Sequence, residues 1–341
     1  MNYLSRESNI ELLRIVSMIL VLIVHASFKA LGSPSKEFLL SNPSSTFLRC
    51  LTESISIVCV NSFVLISGWF GIRPQISRLL ELLFQVAFFG LLVQYYFLIF
   101  EIPLPGRVGS YWNTLLFSGE LWFVRAYIIL WIFSPLLNAF VENSDKSQLK
   151  GFLVLFYVVQ TLIAHKVEYF SQGYSPLSFM GLYLLSRYLR KYPSKMTSYS
   201  LFSYLLIYIF SVILITMVAI FAIYTQILKM DTIYAYSSPL VIVSSLAFFL
   251  FFSKLSFTSR VVNWVSLSAF SIYLIHCNPL VFKPIYLTRI RDWYSLDLWT
   301  FLYHVVLLFF LIAIVSIAFD KIRIFLWKLS CKLIIKYGLV R

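Results

Sequence analysis

The sequence predicts an all-α fold, a polytopic bundle of about ten transmembrane helices, from its composition and its uncharged stretches. Of its 341 residues, 60% are hydrophobic and 12% are charged, whereas a soluble domain has about 25% charged residues. Its mean hydropathy is +0.85. About 20 apolar residues are enough to cross a hydrocarbon core. Several long stretches contain no Asp, Glu, Lys or Arg: 54–72, 82–100, 169–186, 196–228, 232–253, 261–282 and 298–319.

These stretches predict ten spans in order. The first, 10–30, is an apolar run that Glu11 and Arg14 extend by snorkelling to the cytoplasmic interface. The fourth, 118–141, contains Arg125, and the fifth, 151–165, is short. Nine or eleven spans stay open as alternatives, since residues 103–117 could hold a half-helix. The remaining spans lie on the uncharged stretches, near 53–72, 80–100, 171–187, 200–226, 235–254, 261–280 and 298–320.

The distribution of Lys and Arg predicts that both termini are cytoplasmic. With ten spans in that orientation, 18 of the 28 basic residues lie in cytoplasmic segments. Such an excess on the cytoplasmic side is what membrane insertion favours. The formal net charge of +14 therefore reflects topology and contact with anionic lipid. Because the basic residues are scattered over loops, they predict no nucleic-acid partner.

Targeting, metal and cofactor motifs are missing from the sequence, which we interpret as a single membrane domain, 1–341. No small-residue cleavage site follows the first apolar run, so we expect a retained helix and not a signal peptide. The histidines lack the local pairing of metal motifs, and we expect no metal. The cysteines show no C-x-x-C spacing and are expected to pack as small apolar residues: Cys50, Cys59, Cys277 and Cys331.

The first span has a polar stripe. At 100° per residue, Arg14 and His25 lie within about 20° of one helix face and about 16 Å apart along the axis. Glu11 precedes Arg14 by three residues, within ion-pair reach. Glu11 and Arg14 could form an interfacial anchor, and His25 could make an interhelical hydrogen bond. An ionisable group inside a membrane is, however, costly and by default functional.

This pattern resembles the acyltransferase 3 family of bacterial integral-membrane acyltransferases, whose first helix has an Arg, ten residues and a His. Three further segments are similar to family motifs: NSFVLISGWFGI (61–72), ELWFVRAYIILWIFSPLLN (120–138) and SAFSIYLIHCNPLVF (268–282). The resemblance extends from residue 6 to about 320. The segments IELLR and LISGWFGI most resemble the capsular and exopolysaccharide O-acetyltransferase branch of the family.

The resemblance implies an activity in the bacterial cytoplasmic (inner) membrane. Such proteins move an acyl group, usually acetyl, from cytoplasmic acyl-CoA to a sugar hydroxyl of a surface polysaccharide or its lipid-linked precursor. Acetyl-CoA is then a donor substrate, and no cofactor is permanently bound. The chain ends 21 residues after the tenth span, so we expect no appended hydrolase-like domain.

The resemblance also implies roles for the first helix. A sugar hydroxyl needs a base as it attacks a thioester, and a buried neutral His25 suits that role. A covalent acyl-histidine is the alternative. Arg14 is expected to hold the donor or fix the helix, with Glu11 as its partner.

Cytoplasmic cations are candidates for the CoA phosphates. Arg73 and Arg78 follow the second span closely, although they stand five apart where the family commonly has a tight pair. The positive-inside rule alone also explains them. Arg187, Arg190 and Lys191 are further options. We expect Ser67 and Gly68 to allow close helix packing.

Substrate contacts are expected on two later segments. Glu120 stands where many relatives have a histidine, and it could bind a sugar hydroxyl or orient His25. Trp122 could stack on a sugar or lie in the interfacial aromatic belt. Tyr273 and His276, one turn apart, could handle the acceptor or a proton, or form structural hydrogen bonds.

Three other functions stay open. The main alternative is a polysaccharide or lipid transporter or flippase without acyl transfer. Buried polar groups among ten helices would also suit a transporter. The lack of an evident inverted repeat or of paired broken helices argues against transport. An acyltransferase acting on an amine or a non-carbohydrate lipid fits the same motifs. An inactive scaffold does not explain the complete stripe on the first helix.

Overall fold

The computed structural model describes residues 6–102, 118–163 and 170–336, with side chains as far as 332. Over these residues the chain forms helices and turns, and no strand. The α-helices are α1 Ser8–Val24, α2 Lys36–Ser41, α3 Pro43–Ser56, α4 Cys59–Phe70, α5 Ile76–Ile99, α6 Trp122–Asn143, α7 Lys146–Ile163, α8 Pro176–Lys191, α9 Lys195–Ser198, α10 Leu201–Thr225, α11 Met230–Ile233, α12 Pro239–Ser253, α13 Arg260–Ser266, α14 Ala269–His276, α15 Thr288–Tyr294 and α16 Leu298–Lys336.

Short non-α turns supplement them. The π-helical turns are His25–Lys29 and Phe282–Leu287, and the 3-10 turns are Gly119–Leu121 and Ser171–Gly173. Several helices begin where the sequence provides a capping group. Ser175 accepts a hydrogen bond from the Ser178 amide, with Pro176 in the first turn of α8. Ser200 accepts one from the Ser203 amide at the start of α10.

Six helical runs among the described residues are long and apolar enough to cross a membrane. They correspond to the predicted first, second, third, fourth, seventh and tenth spans. The α12 helix, in the eighth span, is apolar but shorter. An all-helical membrane protein is therefore confirmed, whereas the count of ten spans and the cytoplasmic termini stay predictions. The six runs are Ser8–Lys29, Pro43–Phe70, Ile76–Ile99, Gly119–Asn143, Leu201–Thr225 and Leu298–Lys332.

Three predicted spans differ in their bounds. The second begins at Pro43 and is interrupted by a turn at 57–58, and the ninth is divided at 267–268 between α13 and α14. The tenth continues to Lys336, and no Gly or Pro lies between Asp320 and Lys336 to end the helix earlier. The possible half-helix at 103–117 and the end of the fifth span lie outside the described residues.

The chain divides into two compact units. The first comprises Met1–Pro74 and Arg125–Asn263. Within it, α4 and α8 approach closely at Gly68: a Cβ there would lie 2.5 Å from the Tyr183 carbonyl oxygen and 2.8 Å from the Ser186 Cβ. The Ser186 hydroxyl donates to the Leu65 carbonyl over 2.7 Å. The expected packing role of Gly68 is therefore confirmed, as is usual for small residues between membrane helices.

The second unit comprises Gln75–Val124 and Trp264–Arg341. A buried polar cluster joins α5 to α16. Asp320 Oδ1 accepts hydrogen bonds from Gln85 Nε2 at 3.0 Å and from Arg323 Nε at 2.9 Å. Arg323 also pairs with Glu81 at 3.2 Å. Arg323 is only 3% exposed, so its charge is buried and is compensated by these pairings.

Candidate functional site

The predicted ion pair of the first helix forms near the start of α1. Arg14 Nη1 lies 4.0 Å from Glu11 Oε2, and Arg6 Nε lies closer, 3.0 Å from Glu11 Oε1. The Glu11 side chain is buried, whereas the Arg14 side chain is one-third exposed. Arg14 has no other ion pair among the described residues. Its guanidinium therefore keeps donors available for a ligand.

His25 lies where the regular helix ends. The α1 helix is regular from Ser8 to Val24, so the axial distance of about 16 Å from Arg14 to His25 applies. His25 is half-buried and begins the π-helical turn His25–Lys29, in which Ser27 departs from helical dihedrals (φ −85°, ψ −113°). Such π-bulges are frequent at functional sites.

Two α3 side chains contact the chain just after His25, and no sequence motif assigns a role to either. The amide of Phe28 donates to Glu53 Oε2 over 3.3 Å, and Arg49 Nη2 donates to the carbonyls of Leu31 and Gly32. Glu53 is 4% exposed. One signal was available: Glu53 is the last ionisable residue before the uncharged stretch 54–72, inside a predicted span.

Arg73 lies on a loop whose backbone is held in place. The Ile72 amide donates to the Tyr183 hydroxyl at 2.9 Å, and Asn138 Nδ2 donates to the Ile72 carbonyl at 2.9 Å. The Tyr183 hydroxyl in turn donates to Asn138 Oδ1. Arg73 itself is exposed and forms no ion pair within the described part of the chain. It is therefore available to an anion.

The other candidates for the CoA phosphates differ from Arg73. Arg187 pairs with Glu142 at 2.7 Å, Arg190 lies 4.7 Å from the centroid of the Trp69 ring, and Lys191 donates to carbonyls at the end of α6. These three cations already have partners in the fold. Arg78 is exposed on α5, in the second unit, without an ion pair to a described residue.

Glu120 and Tyr273 come together in the second unit. The Tyr273 hydroxyl donates to the Glu120 backbone carbonyl over 2.6 Å. The Glu120 carboxylate lies 3.3 Å from Lys283 Nζ, whose side chain is 72% exposed. Sequence patterns could not pair Lys283 with Glu120, because the two are 163 positions apart. A carboxylate beside an exposed ammonium offers both an acceptor and donors to a polyhydroxyl ligand.

His276 and Trp122 belong to the same unit. His276 is fully buried, and its Nδ1 lies 2.6 Å from the Ile272 carbonyl oxygen. Because a carbonyl only accepts, Nδ1 holds the proton and Nε2 is the basic nitrogen. The rings of Tyr273 and His276 are 6.1 Å apart, edge to face. Trp122 begins α6 and is half-buried, with its ring 6.0 Å from Phe123.

Comparison with known proteins identifies one family. Its model, described as an acyltransferase domain, matches residues 7–321. No curated protein and no solved structure gives a match. The matched region covers most of the chain and nearly all the residues discussed above. The chain therefore belongs to the acyltransferase 3 family of membrane acyltransferases.

Proposed function

We propose that this membrane acyltransferase transfers acetyl from cytoplasmic acetyl-CoA to a sugar hydroxyl of a surface polysaccharide or its lipid-linked precursor, in the bacterial cytoplasmic membrane. One observation is the main support. A half-buried histidine, His25, stands at the break of an apolar helix, three turns from the Glu11–Arg14 pair. An ionisable group inside a membrane is costly, and its presence there indicates a function by default.

The proposed chemistry is direct transfer. Neutral His25 accepts the proton of the sugar hydroxyl while its oxygen attacks the thioester carbonyl. The carbon–sulfur bond then breaks, and the CoA thiolate leaves and takes the proton from the imidazolium. An acyl-histidine is the alternative route. Protein that becomes labelled at His25 by acetyl-CoA in the absence of acceptor would favour that route.

The donor side of the proposal rests on cations. Arg14 is one-third exposed with donors available, and exposed Arg73 and Arg78 lack ion pairs with described residues. Arginine matches phosphate geometry well. We assign Arg73 and Arg78 to the CoA phosphates and Arg14 to the donor near the thioester, with Glu11 holding Arg14.

The acceptor side of the proposal lies on the second unit. The carboxylate of Glu120 is suited to accept from sugar hydroxyls, and the half-buried Trp122 ring is suited to stack on a sugar face. Tyr273 orients the Glu120 backbone through its hydroxyl. His276, whose Nε2 lies 3.3 Å from the Cys277 Sγ, is assigned to the acceptor's protons.

Transfer of labelled acetyl from acetyl-CoA to surface glycan, in membranes with the native glycan, tests the proposal. We expect transfer by the wild type and its loss, by more than about 100-fold, in His25→Ala. His304→Ala is the matched control, since His304 is also a half-buried histidine on a long apolar helix, bonded through Nδ1 to the Thr300 carbonyl. Transfer that persists in His25→Ala would remove His25 from the chemistry.

Transport without acyl transfer is the outcome that would contradict the proposal. The interruptions at 57–58 and 267–268 show that broken helices do occur in this chain, so their expected absence no longer argues against transport. If wild-type membranes consume no acetyl-CoA with the native glycan present, the acetyl-transfer proposal is wrong.

A further inference from the structure

The α3 helix presents a charged pair, Arg49 and Glu53, to the end of the first helix. The two residues are four apart, and therefore on one face of α3. Both contact backbone groups of the segment 28–32, which follows His25 by three residues. Neither residue belongs to the motifs that identify the family resemblance.

Glu53 contacts the point where the helix departs from regular geometry. Ser27 has ψ −113°, and the next amide, that of Phe28, donates to the Glu53 carboxylate. The Ser27 side chain also hydrogen-bonds to Glu53. The contact is partly shielded from solvent, and a backbone amide in such a place needs a partner, so the Glu53 acceptor stabilises the π-helical turn relative to a regular helix.

Arg49 contacts the other end of the same segment. Its Nη2 donates to the carbonyls of Leu31, at 3.1 Å, and Gly32, at 2.5 Å. Gly32 has φ +73°, the left-handed conformation in which helices commonly end. A cation at a helix C-terminus also interacts favourably with the helix dipole. Arg49 therefore holds the end of the segment that Glu53 holds at its start.

We propose that Arg49 and Glu53 are positioning residues that hold the π-helical turn His25–Lys29 and thereby the orientation of the His25 imidazole. A regular helix over 25–30 would place the side chains after the kink on different faces, because a π-turn adds one residue to the helix. The catalytic part of this inference rests on the proposed function of His25. The structural part rests on the contacts alone.

The test uses two substitutions at Glu53 in the full-length protein. Glu53→Leu removes the acceptor at similar volume, whereas Glu53→Gln retains an oxygen for the Phe28 amide. Thr52→Ala is the matched control, since the exposed Thr52 hydroxyl bonds to the Leu48 carbonyl of its own helix. Arg49→Met and Arg49→Lys test the second residue in the same way.

Two measurements are compared: acetyl-transfer kinetics and amide hydrogen exchange of peptides covering 25–32. In Glu53→Leu and Arg49→Met we expect kcat to fall about 10- to 100-fold, as misplacement of a catalytic group does. The KM for acetyl-CoA should stay within about twofold, because the substitutions do not contact the donor. Exchange should accelerate about tenfold at 25–32 only. Glu53→Gln, Arg49→Lys and Thr52→Ala should stay near wild type.

The inference is overturned if Glu53→Leu and Arg49→Met keep wild-type kcat and wild-type exchange. It is also overturned if kcat falls as much in Glu53→Gln as in Glu53→Leu, since retaining an acceptor oxygen would then not preserve activity. If Glu53→Leu is not recovered folded, Arg49→Met, at a half-buried residue, decides by the same two measurements. A wild type without acetyl transfer would refute the proposed function, while hydrogen exchange would still judge the structural contact.

Discussion

His25 and the exposed arginines differ in what their surroundings allow them to do. His25 is half-buried at a helix break. Partial burial leaves the imidazole accessible to a substrate and shields it from most of the surrounding water. Arg73 is exposed on a loop that Tyr183 and Asn138 hold in place. Its position is thus defined while its guanidinium lacks an ion pair with a described residue. Arg187, on α8, is already paired with Glu142.

Arg73→Ala tests the phosphate assignment at the scale of one residue. Loss of one charge-assisted contact costs about 1.5 to 3 kcal/mol. We therefore expect the KM for acetyl-CoA to rise about 10- to 100-fold, with little change in kcat. The KM for acetyl-pantetheine, which lacks the nucleotide phosphates, should not change.

Lys150→Ala is the control for that measurement, since Lys150 is an exposed cation on α7 that we assign to no ligand. Equal effects of Arg73→Ala on both donors, or equal effects of the two substitutions, would contradict a phosphate contact at Arg73.

At the scale of elements, the contact of α4 with α8 depends on one missing side chain. Gly68 faces the backbone of Tyr183, and backbone within a packed helix cannot move aside as a flexible side chain can. The Ser186 hydroxyl adds a hydrogen bond to the Leu65 carbonyl across the same contact. The loop with Arg73 directly follows α4, so this contact also bears on the position of the candidate donor site.

Gly68→Ala is expected to destabilise the protein by about 1 to 3 kcal/mol, the usual cost of overpacking. The thermal unfolding midpoint in detergent measures it. Gly151→Ala is the matched control: Gly151 lies within α7, where an added Cβ would meet no neighbouring atom within 4 Å, so alanine should be neutral or slightly stabilising there. An unchanged midpoint for Gly68→Ala would show that the two helices can separate without cost.

The buried cluster of Arg323, Asp320 and Gln85 is an element-scale feature of the second unit. Asp320 is fully buried and Arg323 nearly so, and buried charges are retained only when paired. The pairing links α16 to α5 across more than 200 positions of sequence. The pairing lies at the predicted end of the tenth span, and α16 continues past it to Lys336.

At the scale of the whole molecule, the ten-span topology with both termini in the cytoplasm stays a prediction that labelling can decide. Cys331 is the one cysteine of the four that is not buried, so a Cys331→Ser background leaves little labelling of its own. In intact cells, an impermeant maleimide should label Glu37→Cys, in the first outer loop. It should label Lys146→Cys, before the fifth span, only after permeabilisation.

Both positions are exposed in the structure, so accessibility alone does not separate them. Labelling of Lys146→Cys in intact cells would show that the count or the orientation of the first four spans is wrong.

The sequence by itself determined the features that depend on short-range patterns. Uncharged apolar runs predicted membrane helices because their length must match the hydrocarbon core. The spacing of Arg14 and His25 predicted a shared face because helical periodicity is local. Close helix packing at Gly68 was also predictable, because it depends on the small size of that single residue.

Only the tertiary structure decided which distant residues meet. Glu53 reaches the Phe28 amide from 25 positions away, Lys283 reaches Glu120 from 163, and Arg323 reaches Glu81 from 242. Helical periodicity places side chains on a face but contains no information on which helix lies opposite that face. The choice of neighbouring helix is determined by the packing of one apolar surface on another. Here that packing placed the buried Glu53 beside the π-helical turn that begins at His25.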